Sequence, residues 1–303
     1  MFSGPKLDIT PELVSQLIAE QFPQWAHLSI QPVEPGGWDN KTFHLGKSKT
    51  MSVRLPSAQG YAPQVEKEHR CLPGLAPLLP LPIPVPLAKG VPGSNYPWPW
   101  SVYGWLEGEN ATLERIDNLE HFATDLGQFL RALQNIDSVD GPPPGQHSAF
   151  RGGPLAFYDF ETRKAIDALE GEIDSRAATK VWEIALSSSW QGKPVWFHGD
   201  VTVGNLLVLE GRLNAMIDFG CAGVGDPACD LTIAWTFFSG KSREAFRAAL
   251  PLEGAEWARG RGWALWKALI TMAQDLEIDP VKVREARRVI DEVLEDHKQI
   301  AKP

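Results

Sequence analysis

An α+β fold of two lobes is predicted for this 303-residue chain: an N-terminal antiparallel sheet lobe with a helix over residues 1–106, and a mainly helical C-terminal lobe over residues 107–303. Three observations predict it. Through the first hundred residues short strand-like segments alternate with turns. From about residue 112 onward, apolar residues recur at helical spacing. Within that helical part, two short strand-like runs bracket a polar loop at 198–205.

In the first lobe, residues 39–45 and 50–55 are separated by Gly46 and polar residues, which is a hairpin pattern. Residues 66–72 predict a short helix. The alternating prolines of 79–87 cannot be helical or central in a sheet, so this run is expected to be an extended connector. The apolar segment 98–106 predicts a buried strand that Glu107, Gly108, Glu109 and Asn110 break.

In the second lobe, Thr112 is the expected N-cap of a helix whose stripe is Leu113, Ile116, Leu119, Phe122, Leu126, Phe129, Leu130 and Leu133. The Gly/Pro-rich stretch 141–154 is a long loop of a length more common over functional sites than in compact connections. Two helical patterns fill 155–190. Strands follow at 195–197, 206–209 and 213–217, the last two joined by a Glu210-Gly211 turn, and helices at 231–238, 242–250, 257–276 and 281–297 run to the end. Many of the twelve tryptophans lie in apolar stripes, and most of these are expected in the core.

Composition bounds the function. With 43% hydrophobic and 22% charged residues the chain suits a folded globular protein. Three scattered cysteines, Cys71, Cys221 and Cys229, make neither a disulfide framework nor a zinc cluster. No apolar run reaches the ~20 residues of a membrane span and the start lacks a leader pattern, so a cytoplasmic protein without a membrane partner is expected. A net charge of −9 without clustered Lys and Arg argues against nucleic acid as a partner and is compatible with a cationic small molecule.

The residues that carry chemistry are His198, Gly199 and Asp200, then Asn205, and after a hairpin Ile217, Asp218, Phe219 and Gly220. Phosphoryl transfer needs a carboxylate beside the attacking hydroxyl and further oxygen ligands for the Mg²⁺ that neutralises the phosphates. His-x-Asp-x-x-x-x-Asn followed by Asp-Phe-Gly is a kinase catalytic-loop pattern. Read with His-Gly-Asp, Ile-Asp-Phe-Gly and the Gly225-Asp226-Pro227-Ala228-Cys229-Asp230-Leu231 stretch, the chain resembles the aminoglycoside phosphotransferase family, whose relatives also act on choline, macrolides and other small alcohols.

The resemblance spans essentially the whole chain and implies a protein-kinase-like fold, with a nucleotide-binding first lobe that ends in a hinge and a second lobe carrying the catalytic loop and substrate site. It implies an ATP- and Mg²⁺-dependent kinase acting on the hydroxyl of a small molecule, with a cationic aminoglycoside as the leading acceptor, antibiotic resistance as the associated role, and choline or a macrolide as alternatives. It makes Asp200 the catalytic base, Asn205 and Asp218 the metal ligands, and His198 a brace for the loop. Asp226 is expected to shape the turn before Pro227, and Asp230 to cap the next helix.

On the nucleotide side, Gly36, Gly37, Trp38, Asp39 and Asn40 stand where the resemblance expects the phosphate-covering turn, a segment that a plain hairpin turn would match equally. Arg54 stands where many kinases carry a phosphate-binding lysine, with Lys41 and Lys49 as alternative charges. Glu68 is the expected partner of Arg54, with Glu66 as fallback. Ser101, Val102, Tyr103, Gly104 and Trp105 fall in the hinge whose backbone would read adenine. Tyr158, Asp159, Glu161, Trp235 and Trp263 are open between a substrate cleft and the core. The Ala-Pro-Glu and activation segment of protein kinases is missing. Intact Asp200, Asn205 and Asp218 argue against the alternative of a non-catalytic nucleotide-binding protein.

Overall fold

A computed structural model describes residues 6–34 and 36–300. The chain divides into two compact units: residues up to Gly108 together with Asn214–Gly220, and Glu109–Leu213 together with the residues from Cys221 onward. Residues 214–220, which include Asp218, thus belong to the first unit although they lie late in the chain.

The first unit is built on a five-stranded antiparallel sheet in the order β1-β2-β3-β5-β4, formed by β1 (Ile30–Pro32), β2 (Asn40–Leu45), β3 (Met51–Pro56), β4 (Pro86–Gly90) and β5 (Trp100–Gly104). Register follows the period of two: Phe43 lies opposite Val53, and Val53 opposite Val102, so one face presents an apolar row to the core. The alternate face carries Thr42, Arg54 and Ser101 in one row and His44, Ser52 and Tyr103 in the next. β4 is an edge strand beginning at Pro86, with a register shift between Pro86 and Ala88, as a proline that cannot donate requires.

One helix of this unit is absent from the strand-and-turn expectation. α1 (Pro11–Gln21) begins at proline behind the N-cap Thr10, whose hydroxyl accepts from Leu13 N, and buries Val14, Leu17 and Ile18 against Phe43, Val53 and Trp100. α2 (Pro63–Leu75) is longer than the predicted 66–72; Pro63 sits at its start and Pro73 in its last turn.

The second unit is mainly helical. α3 (Leu119–Gln134) buries Phe122, Leu126, Phe129, Leu130 and Leu133, but it does not start at Thr112. Asn118 is the N-cap, its side chain accepting from His121 N at 2.9 Å. Residues 113–115 form a separate 3₁₀ turn, Leu113 is 61% exposed, and Asp117 N donates to Gly211 O at 3.0 Å, which draws the intervening chain out of the helix.

α4 (Asp159–Ala168), α5 (Ser175–Ser187), the short α6 (Ile233–Thr236), α7 (Gly240–Ala249), α8 (Gly254–Asp275) and α9 (Pro280–Ile300) follow. Trp182, Trp235 and Trp263 are fully buried among them. The small strands are β6 (Glu109–Asn110), β7 (Val195–Phe197), β8 (Leu206–Leu209), β9 (Arg212–Met216) and β10 (Gly223–Gly225); β10 pairs with β7, and β6 with β8. Among the described residues no helix is long and apolar enough to cross a membrane.

Candidate functional site

In the second unit β7 delivers the chain into His198-Gly199-Asp200. Gly199 has φ +84°, and a Cβ there would lie 2.7 Å from the backbone oxygen of Cys221, so only glycine makes this turn without strain. The turn is held by Asp230, fully buried, whose two carboxylate oxygens accept the backbone N–H groups of His198 at 2.8 Å and Gly199 at 2.7 Å. Burial pushes the Asp230 carboxyl up to about 7, with the charge of Asp200 adding to the effect and the two N–H donors opposing it. Asp230 therefore clamps the loop rather than capping a helix as expected.

His198, also fully buried, accepts from Asp200 N through Nδ1 at 3.2 Å, which braces the loop. Asn205 donates from Nδ2 to both Asp200 O and Asp200 Oδ2, each at 2.9 Å. Its amide hydrogens are thereby committed and Oδ1 is the atom left with ligand capacity.

Asp226 accepts from Ala228 N at 3.1 Å in the expected turn before Pro227. It also forms a buried ion pair with Arg259, 2.6 Å from Nε to Oδ2. That partner, thirty-three residues away in sequence, carried no local signal.

In the first unit Arg54, on the polar face of β3, lies between two carboxylates: Nη1 is 3.8 Å from Glu68 Oε2 and Nη2 is 3.6 Å from Asp218 Oδ1. Burial works against its charge, but Glu68, Asp218 and Tyr103 outweigh this and hold the pKa above the ordinary guanidinium value. Tyr103 donates its hydroxyl to Glu68 Oε2, and burial first and Glu68 second push its phenol up. Glu66, the fallback, points elsewhere, to Lys89 at 2.8 Å.

Asp218 has φ +64°, an uncommon conformation for a residue with a Cβ. Its segment is gripped by α2, where the buried Lys67 donates to Gly220 O and Gln64 lies against Gly220. Lys67 was not singled out in the sequence, where it is one of several charges on a short helix. Among the described residues the alternative charges Lys41 and Lys49 form no ion pair, whereas Arg54 faces two carboxylates.

The turn between β1 and β2 holds Gly36, Gly37, Trp38 and Asp39, with Asn40 starting β2. Ser57 fastens it: the Oγ donates to Trp38 O at 3.2 Å and Asp39 O at 2.9 Å. A Cβ on Gly37 would come within 3.1 Å of Asn40 O, so this glycine serves a close approach. Trp38 is 74% exposed, with Lys6 Nζ 3.6 Å from its ring centroid.

Ser101 to Tyr103 lie in a central strand, flanked by β3 on one side and β4 on the other. Trp105 N donates to Thr50 O at 2.8 Å. Of the residues open between cleft and core, Trp235 and Trp263 are buried, Asp159 accepts from Trp182 Nε1 at 2.8 Å, and Glu161 accepts from Trp266 Nε1.

The Asp218 carboxylate in the first unit and Asn205 Oδ1 in the second are each an oxygen donor of the hard type that a magnesium ion takes.

The model of the APH phosphotransferase enzyme family matches residues 29–263. An aminoglycoside 3'-phosphotransferase of Escherichia coli is 35% identical over 75 residues, 23% of this chain and 26% of that protein. The uncharacterized protein YcbJ of Bacillus subtilis (strain 168) is 24% identical over 198 residues, 63% of this chain and 59% of YcbJ. The matched part thus spans about a quarter and about three fifths of these curated relatives.

Among solved structures, a mutant aminoglycoside 2'-phosphotransferase-IIIa in its GDP complex superposes with a TM-score of 0.71 at 16% identity, covering 96% of this chain and 99% of that one. The macrolide 2'-phosphotransferase MphH from Brachybacterium faecium gives 0.57 at 18% identity, covering 93% and 97%. These likenesses are of fold.

Proposed function

Because the chain belongs to the APH phosphotransferase enzyme family, we propose that it is a small-molecule kinase that moves the γ-phosphoryl group of ATP to a hydroxyl. The observation that carries this is the loop itself: Asp200 is held by Asn205 through two hydrogen bonds of 2.9 Å on a turn clamped by buried Asp230. Such rigidity suits a base that must meet a hydroxyl proton in one orientation.

In this reading Asp200 accepts the proton of the acceptor hydroxyl as its oxygen bonds to the γ-phosphorus and the bond to ADP breaks. Arg54, positioned by Glu68, holds phosphate oxygens as a charged fork. Asn205 and Asp218 would hold Mg²⁺, which supplies charge neutralisation at the phosphates. The fastened turn at Gly36, Gly37, Trp38, Asp39 and Asn40 covers phosphates. The hinge of Ser101 to Leu106 offers its backbone to the adenine edge, and since Ser101, Val102 and Tyr103 are paired within a central strand, the part of it beyond the strand is Trp105 and Leu106. The names of the relatives offer aminoglycosides and macrolides as acceptor classes.

The test is ADP release by the purified chain with Mg-ATP across a panel of hydroxyl compounds, with GTP in parallel. Acceptor-dependent release that Asp200→Ala lowers about a thousandfold in kcat, with nucleotide affinity retained, is expected. Near-normal turnover in that variant removes Asp200 as base, and ATP binding without turnover on any acceptor leaves a non-catalytic nucleotide-binding protein.

A further inference from the structure

In the second unit a cluster gathers on the tryptophans of α8. Arg151 lies over the rings of Trp266 at 4.6 Å and Trp263 at 5.3 Å, and Tyr158 packs on Trp266 at 4.1 Å. The adjoining Gly152 ties this cluster to the catalytic strand. A Cβ on it would overlap the Phe197 ring, one residue before His198, and its carbonyl accepts from Asp226 N at 2.8 Å. Lys267 follows Trp266 on α8, one helical turn from Trp263.

The cations here lack acidic partners: Arg151 donates from Nη1 to Ala149 O at 3.5 Å, a carbonyl and not a carboxylate. Neither Arg151 nor Lys267 forms an ion pair among the described residues, and the buried Nε1 of Trp263 has no hydrogen-bond partner. The acids are otherwise placed. Glu161 accepts from Trp266 Nε1, Asp275 lies 3.7 Å from Lys282, and Asp200 is engaged with Asn205. Lys267 is exposed by area, yet its pKa is lowered, by partial burial first and by the charge of Arg151 next; Asp200, Glu161 and Asp275 pull the other way. Two cations with no ion pair of their own therefore stand at the Trp263–Trp266 turn of α8, and the charge of Asp200 reaches Lys267 there.

We infer that the acceptor of this chain carries its own anionic group, a carboxylate or phosphate, which Arg151 and Lys267 hold while its hydroxyl faces Asp200. The inference rests on the kinase reading and narrows it: the acidic balance of the whole chain favours a cation, but charges at the site select the ligand, and a polyamine sugar would meet Arg151 and Lys267 with like charge. An Arg fixed on aromatic faces presents a pre-oriented fork, and Lys267 adds a mobile point charge.

Binding is measured first, by titration calorimetry of the full chain with gluconate, glycerate and glucose 6-phosphate against kanamycin, choline and glucose. Saturable binding of the hydroxy acids or of the sugar phosphate, and not of the cations, is expected, the two anionic arms telling carboxylate from phosphate. Lys267→Gln and Arg151→Gln should each weaken the bound anion about tenfold, with Lys267→Arg restoring it. ADP release with the same compounds should show that loss in KM and little of it in kcat.

Binding of kanamycin or choline with no anionic probe bound overturns the inference and leaves the kinase standing. So does an anion affinity unchanged in Lys267→Gln. Anion binding at these residues without phosphoryl transfer to any acceptor sinks the kinase reading instead.

Discussion

Replacing Asp230 with asparagine is expected to loosen the catalytic turn and to remove a pH dependence that the native chain should show. Each carboxylate oxygen of Asp230 accepts one backbone N–H, from His198 at 2.8 Å and Gly199 at 2.7 Å, in a fully buried position. Asparagine turns one of those oxygens into an NH₂ group facing an N–H. One accepting oxygen is lost and two buried donors oppose each other, a cost of roughly 1–3 kcal/mol.

The pH profile is the sharper signature. Because burial pushes this carboxyl up to about 7 in the folded chain, while an unfolded aspartate releases its proton near pH ~4, the folded state binds the extra proton between those values. The stabilising contribution is therefore complete below about pH 4 and falls by about 1.4 kcal/mol for each pH unit up to about pH 7, roughly 4 kcal/mol in all. The asparagine variant has no such proton. Urea unfolding of both proteins, followed by tryptophan fluorescence at pH 5, 6, 7 and 8, should show the native advantage shrinking as pH rises. A constant difference across that range would refute the raised pKa, and equal stability at pH 5 would refute the clamp.

Further outcomes follow from the same geometry. Gly199→Ala, with its Cβ 2.7 Å from Cys221 O at φ +84°, should cost about 2 kcal/mol or more in a thermal or urea melt and depress kcat. Arg259→Ala strands buried Asp226 and should cost about 3–5 kcal/mol, while the double variant with Asp226→Ala costs less than the two single losses together, as a double-mutant cycle would show. Arg54→Met should weaken ATP about tenfold or more in equilibrium dialysis, with Arg54→Lys intermediate, since an ammonium keeps the charge and loses the fork.

The sequence by itself determined what depends on local pattern. The hairpin at β2 and β3 was legible because Phe43, Leu45, Val53 and Leu55 alternate with polar residues and so choose one face. The stripe of α3 was legible from Phe122 onward for the equivalent reason at helical period, and the order of His198, Gly199, Asp200, Asn205 and Asp218 was legible because short loops fix their spacing. The start of α3 was not: Thr112 and Asn118 are both competent caps, and a tertiary hydrogen bond from Asp117 N to Gly211 O chose between them. α1 escaped notice because its stripe is only three buried residues long before Phe22.

Only the tertiary structure decided which distant charges meet. Glu66 and Glu68 sit on the same short helix, and helix phase sends one to Lys89 and the other to Arg54 and Tyr103. Asp230 could cap a helix or reach a loop more than thirty residues upstream, and the fold sends it to the loop. Arg151 and Lys267 are unremarkable in sequence, 116 positions apart, and become one neighbourhood through α8 and the loop carrying Gly152. The physical reason is range. Backbone periodicity, caps and turns act over a few residues and can be read in order, whereas a Coulomb pair depends on separation in space, which the packed core alone sets.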